Sequence, residues 1–172
     1  MDLWEIRILL KTLKMIETIS GVVVAVAVII LTQVLSGYFT AKLMAATNLV
    51  AIAFIYVGFS LKDNPGGLTV LEVLVSLVFY FMAIIGYIRN GYAIAYGIIL
   101  HGVWDICHHN GSLIGTHIPG YWPLFCLVVD IIDGLYFLIL FKSQKNALVL
   151  KMQGLSNGES SVGKTVWRHN GR

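Results

Sequence analysis

Three of the chain's five histidines lie within the nine residues 101–109, together with a carboxylate. In a helix, His101, Asp105 and His108 occupy positions i, i+4 and i+7, so their side chains share one face. His109 lies just off that face. Neutral imidazole and carboxylate groups are ligands that zinc, iron and manganese accept. This segment is therefore a candidate site for a divalent metal.

A second polar stripe lies in the next apolar run of the sequence. Cys126, Asp130 and Asp133 are again at i, i+4 and i+7. At the rise of an α-helix, His101 lies about 12 Å before the end of the apolar run that contains it. Asp130 lies about 13 Å after the start of the next apolar run. Because the two runs are joined by a short loop, they should be antiparallel. The spacing therefore predicts that His101 and Asp130 face each other at one depth.

Buried charge is the reason to expect a function for these residues. An aspartate at the centre of a bilayer costs roughly 2.5–3.5 kcal/mol, so Asp130 and Asp133 must be protonated, paired or bound to a cation. The leading hypothesis is a divalent metal site with an open position for water or substrate. Its ligands would be His101, Asp105, His108 and Asp130. His109 or Asp133 would then handle protons, and Trp104 and Trp122 would wall the site.

Two other interpretations of the stripes stay open. His101 and Asp130 can form a structural bridge between helices, because polar side chains often join transmembrane helices. The aspartates can also form a proton or ion path, as intramembrane ionisable residues often do. Glu72, four residues into the third apolar run, enters from the same membrane side as the histidines and could join Asp105 and His108.

The composition of the chain places these stripes in a membrane protein. Of 172 residues, 58% are hydrophobic and 12% are charged, whereas a soluble domain has about 25% charged residues. The net charge of +3 is small, and no basic block suggests nucleic-acid binding. A lipid bilayer is the expected partner, and a lipid-like molecule is a candidate substrate.

Five apolar runs of membrane-spanning length position the stripes. They cover 19–37, 43–60, 69–88, 92–109 and 121–141. Before them, residues 1–17 have an apolar face opposite Arg7, Lys11 and Lys14, a pattern typical of an interfacial amphipathic helix. A plain extension of the first span is the alternative. The sequence thus predicts an all-α polytopic membrane bundle, with an amphipathic helix at 1–17 and a five-span transmembrane domain at 18–141.

The segment 142–172 is polar, and we expect it to be a flexible tail. Residues 158–165 in it match the nucleotide-binding pattern G-x4-G-K-T. A working loop of that kind needs a strand before it and a helix after it, and only seven residues follow Thr165. We therefore expect no nucleotide cofactor. The positive-inside rule mildly favours a cytoplasmic tail and an outward-facing histidine loop.

The pattern H-x-x-W-D-x-x-H-H at 101–109, followed by Pro119, Trp122, Cys126 and Asp130, resembles a family of small uncharacterised bacterial membrane proteins. The resemblance covers roughly residues 20–141 and implies a polytopic protein of the bacterial inner or plasma membrane, without implying an activity. Three hypotheses therefore remain. They are a metal-dependent enzyme acting on a lipid or isoprenoid-like substrate, a small transporter or proton-coupled binding protein, and a structural or accessory subunit.

Overall fold

The computed structural model is all-α. It describes the backbone of residues 2–63, 66–108, 114 and 118–169, and their side chains except at 63 and 154–169. Within these described residues, five helices follow one another. They are α1 (Leu3–Leu35), α2 (Ala41–Asp63), α3 (Gly67–Ile88), α4 (Tyr92–Cys107) and α5 (Trp122–His169). The chain divides into two compact units, Met1–Leu138 and Ile139–Arg172, and every polar group considered below belongs to the first.

Four helices are long and apolar enough to cross a membrane: α1, α2, α3 and α5. The fifth, α4, has 16 residues and is therefore about 24 Å long, short of the roughly 20 residues that a full span requires. It ends at Cys107, two residues before the end of the predicted span. The prediction of an all-α membrane bundle is confirmed.

The N-terminal region forms one continuous helix. α1 runs without a break from Leu3 to Leu35, so the basic stripe of the first turns and the first apolar run lie on the same helix. An interfacial position for residues 1–17 stays a prediction. α5 likewise continues through the polar segment that follows its apolar part, as far as His169.

A tight turn between α3 and α4 makes these helices antiparallel. Gly91 has a φ of 82°, a left-handed conformation that glycine adopts without steric cost. Its N–H donates to the carbonyl of Gly86 at 2.8 Å. The antiparallel pairing brings the end of α4 beside the beginning of α3, which is where Glu72 lies.

The first and last helices run parallel. A Cβ added to Gly21 of α1 would lie 2.9 Å from the carbonyl oxygen of Phe125 in α5. Further along, the side-chain amide of Gln33 donates to the hydroxyl of Tyr136 at 2.7 Å. Residue numbers therefore rise together along the two helices, and the first turns of α1 precede the level at which α5 begins.

Candidate metal centre

Among the described residues, six histidine, aspartate and glutamate side chains are buried inside the bundle. Each is at most 1% exposed: Glu72, His101, Asp105, His108, Asp130 and Asp133. They come from α3, α4 and α5. Burial of so many groups is costly unless each is paired, protonated or bound to a cation, so their contacts determine what the cluster can do.

The centre of the cluster is His101. Its Nδ1 lies 2.7 Å from Asp130 Oδ2 and 3.7 Å from Asp105 Oδ1. One ligand atom from each of these three residues lies within 4.8 Å of the others. The predicted contact between His101 and Asp130 is confirmed, and Asp105 joins it from one turn along α4.

Tyr56 of α2 fixes the orientation of Asp105. Its hydroxyl donates to Asp105 Oδ1 at 2.6 Å, and the tyrosine itself is 1% exposed. The ring also stacks on His108, with centroids 4.2 Å apart and an interplanar angle of 26°. The same side chain thus contacts both polar residues in the last turns of α4.

His108 forms a separate pair with Glu72. Its Nε2 lies 2.8 Å from Glu72 Oε1, and its Nδ1 lies 3.0 Å from the carbonyl oxygen of Trp104. Because a carbonyl oxygen only accepts, Nδ1 must donate to it. One further proton must then lie between His108 Nε2 and Glu72 Oε1. The position of Glu72 in the third apolar run indicated that it could join His108, and this contact is confirmed.

Asp133 lies one turn beyond Asp130 on α5. The side-chain amide of Asn48 in α2 donates to its Oδ2 at 3.4 Å. The other oxygen, Oδ1, is buried and has no hydrogen-bond partner among the residues that the structure describes. A buried acceptor in this state is a place where a proton or a cation is stabilising.

Among the described residues, two atoms of the three-residue group, His101 Nε2 and Asp105 Oδ2, are buried with no hydrogen-bond donor against them. The Asp105 and Asp130 carboxyl groups also contact each other, so a proton shared between them is the alternative to a bound cation. A neutral His101 that donates its Nδ1 proton to Asp130 has a free lone pair on Nε2. Metal-ligating histidines characteristically donate their other ring N–H to a carboxylate in this way. The donor set therefore suits a divalent cation of the zinc, iron or manganese type.

The structure brings together three of the four predicted ligands, His101, Asp105 and Asp130. The fourth, His108, has both ring nitrogens in hydrogen bonds and would have to release Glu72 in order to bind a metal. His109, expected to handle protons, lies outside the described residues.

The two tryptophans expected to wall the site have different surroundings. Trp104 contacts His108 edge-on at 5.3 Å and donates its indole N–H to Glu72 Oε2 at 3.3 Å. Trp122 packs against Phe59 with ring centroids 5.3 Å apart. Trp104 therefore borders the Glu72–His108 pair, whereas Trp122 packs against an aromatic ring of α2.

Sequence reasoning missed Tyr56 and Asn48. Both lie in the second apolar run, eight residues apart, and both donate to carboxylates from other helices. A signal was available, because a polar side chain in an apolar run needs a partner. That signal does not identify the partner.

Fold and site together define a class: a polytopic α-helical membrane protein with a histidine–carboxylate cluster buried between its helices. The chain belongs to a family of unknown function (DUF6010), whose family model matches residues 16–143. This confirms the resemblance to an uncharacterised family. The match includes all the buried ionisable residues. Comparison with curated proteins gave no match, and comparison with solved structures gave none either.

Proposed function

We propose that the chain is a metal-dependent membrane enzyme acting on a lipid or isoprenoid-like substrate. One observation carries the proposal: three ligand-type side chains are almost fully buried, with one ligand atom of each within 4.8 Å of the others, and no donor among the described residues contacts His101 Nε2 or Asp105 Oδ2. A bound cation would compensate the buried carboxylates, which are otherwise costly.

In this proposal His101 binds the metal through Nε2, Asp105 through a carboxylate oxygen, and Asp130 through the oxygen that does not accept from His101 Nδ1. A metal in such a site polarises a substrate oxygen or activates a water molecule. Asp133 is proposed to accept a proton through its unpartnered Oδ1, and His109, adjacent in sequence to His108, is proposed to exchange protons with the loop side. The Tyr56 hydroxyl holds Asp105 in position.

The substrate class follows from where the cluster lies. The buried groups are contributed by helices of which α3 and α5 are long and apolar enough to cross a membrane. A molecule that reaches such a site from the bilayer must itself be largely apolar.

We also propose that the protein lies in a bacterial inner or plasma membrane, with its C-terminal tail in the cytoplasm.

A second candidate function is proton-coupled transport or binding, and Asp133 favours it. This aspartate is fully buried, and one of its oxygens has no partner in the described part of the chain, a state typical of proton-relay residues in membrane proteins. The proton shared by Glu72 and His108 would form the other end of such a path. In this interpretation the cluster works without metal.

Metal content tests the proposal. Protein purified without chelator should contain about one zinc, iron or manganese ion per chain, measured by inductively coupled plasma mass spectrometry. Asp105→Asn should lose the metal because an amide is a much weaker ligand than a carboxylate. Asp2→Asn is the matched control, since Asp2 is exposed at the start of α1, and it should keep the metal.

Each outcome has a distinct meaning. Less than about a tenth of an equivalent in the unaltered protein would remove the basis of the enzyme proposal and favour the proton path or a structural role. Loss of metal in His108→Ala would show that His108 is a fourth ligand. Retention in His108→Ala, with loss in Asp105→Asn, would limit the ligands to the three-residue group.

A further inference from the structure

A cleft of about 360 Å³ lies between α1, α4 and α5, away from the buried cluster. Five residues line it: Lys14, Ile106, Pro123, Leu124 and Leu127. Four are apolar and the fifth is a lysine. A larger cavity of about 490 Å³ between α2 and α3 has no charged residue in its lining. The smaller cleft therefore combines an apolar channel with a single cation.

The packing of α1 on α5 explains where this cleft lies. Gly21 allows the two helices to approach closely, with Val128 Cβ 3.0 Å from the position of an added Cβ. Lys14 is two turns earlier on α1, and Leu124 and Leu127 lie on the adjoining turns of α5. The cleft is thus at the end of the bundle where α5 begins, beside the close contact at Gly21.

In the part of the chain that the structure describes, every ion pair involves a histidine. Lys14 therefore has no protein counter-ion there. Its side chain is exposed, as are those of Arg7 and Lys11 on the same stripe of α1. A lysine at the rim of an apolar cleft in a membrane helix attracts an anionic headgroup. Charge and shape therefore point to the same ligand.

We propose that this cleft binds an anionic phospholipid, with one acyl chain between α1, α4 and α5 and the headgroup phosphate on Lys14. Arg7 and Lys11 extend the positive charge along α1 toward neighbouring headgroups. The site does not require a metal, so it stands or fails independently of the enzyme proposal. In the sequence, Ile106 follows Asp105 and Leu127 follows Cys126. The bound acyl chain therefore lies on the outer surface of the helical turns that contain Asp105 and Cys126.

Native mass spectrometry of the purified protein tests this site. Phosphatidylglycerol and phosphatidylcholine with identical acyl chains are added separately in a mild detergent, and bound lipid is counted per protein. Phosphatidylglycerol should bind more tightly. Lys14→Gln should weaken its binding roughly fivefold, the factor expected for one lysine near an anionic surface. Lys62→Gln, an exposed lysine in the last turn of α2, is the matched control and should leave binding unchanged.

A second variant tests the apolar part. Leu124→Trp fills the cleft while retaining Lys14, and it should also reduce phosphatidylglycerol binding. Equal binding of the two lipids would overturn the proposal, as would equal effects of Lys14→Gln and Lys62→Gln. Unaltered binding in Leu124→Trp would show that the lipid lies elsewhere on the surface.

Discussion

The contact between His101 and Asp130 joins two groups that would be expensive to bury separately. Each is 1% exposed, and their closest atoms are 2.7 Å apart. Removing one partner of a buried pair costs about 3–5 kcal/mol, because the remaining charge is uncompensated. The energetic value of this contact is therefore best measured by removing both partners together.

A double-mutant cycle makes a specific prediction. His101→Ala and Asp130→Ala should each destabilise the protein, and the double variant should cost less than the sum by about 0.5–3 kcal/mol. Denaturant or thermal unfolding in detergent measures this difference. His101→Ala combined with Glu5→Ala, an exposed residue at the start of α1, should be additive. Additivity of His101→Ala and Asp130→Ala would mean that the two side chains do not interact.

Sequence spacing could predict this pair, because helical periodicity and equal depth depend only on residue counting. It could not predict that Tyr56 donates to Asp105. That contact depends on how α2 is rotated about its axis, and the apolar residues 49–55 and 57–59 do not indicate that rotation. The pairing of His108 with Glu72 was only partly predictable, since His108 was also a candidate ligand.

At the scale of helices, one glycine controls how closely α1 and α5 approach. A Cβ at Gly21 would lie 2.9 Å from a backbone oxygen and 3.0 Å from Val128 Cβ. A backbone atom cannot rotate away as the end of a side chain can. Any side chain at this position must therefore push the two helices apart.

Gly21→Ala should destabilise the protein by about 1–3 kcal/mol, the usual cost of overpacking. Gly58→Ala is the matched control, because Gly58 lies inside α2 and an added Cβ there would meet no atom within 4 Å. That change should be neutral or stabilise by up to about 1 kcal/mol, since alanine is the better helix former. Unfolding midpoints in detergent give both values, and similar shifts for the two variants would contradict the close approach.

The helices themselves were largely predictable, and their ends were less so. Apolar runs of about 20 residues predicted five helices, and the structure has them in the same order. The polar residues of the first turns suggested a boundary near residue 18, but α1 continues through it, because no proline intervenes before Leu35 and the single glycine, Gly21, is tolerated within the helix. The end of α4 depends on a tight last turn, in which the N–H of His108 donates to the carbonyl of Asp105 at 3.1 Å.

At the scale of the whole molecule, the order of the helices fixes which connections share a side. The α1–α2 and α3–α4 connections lie at one end of the bundle, as the 2.5 Å hydrogen bond from Lys42 to the carbonyl of Arg89 requires. The last turn of α4 and the first turn of α5 lie at the opposite end. We predict that this opposite end faces outward.

Cysteine labelling tests that orientation. Tyr121→Cys, at a position 52% exposed beside the histidine loop, should react with an impermeant thiol reagent added to intact cells. Tyr38→Cys, at a position 84% exposed in the α1–α2 connection, should react only after permeabilisation. Both are made in a background without Cys107 and Cys126. The reverse pattern would invert the proposed topology.

The parallel pairing of α1 with α5 has a consequence for biogenesis. As the chain leaves the ribosome, α1 enters the membrane first, yet part of its packing surface is supplied only when α5 arrives. Asp130 and Asp133 also enter last, and by then Asn48, Tyr56 and His101 are already in the bilayer. Asn48 and His101 contact these carboxylates in the folded protein and can offset the cost of inserting them. We therefore expect correct integration of the final helix to require α2 and α4.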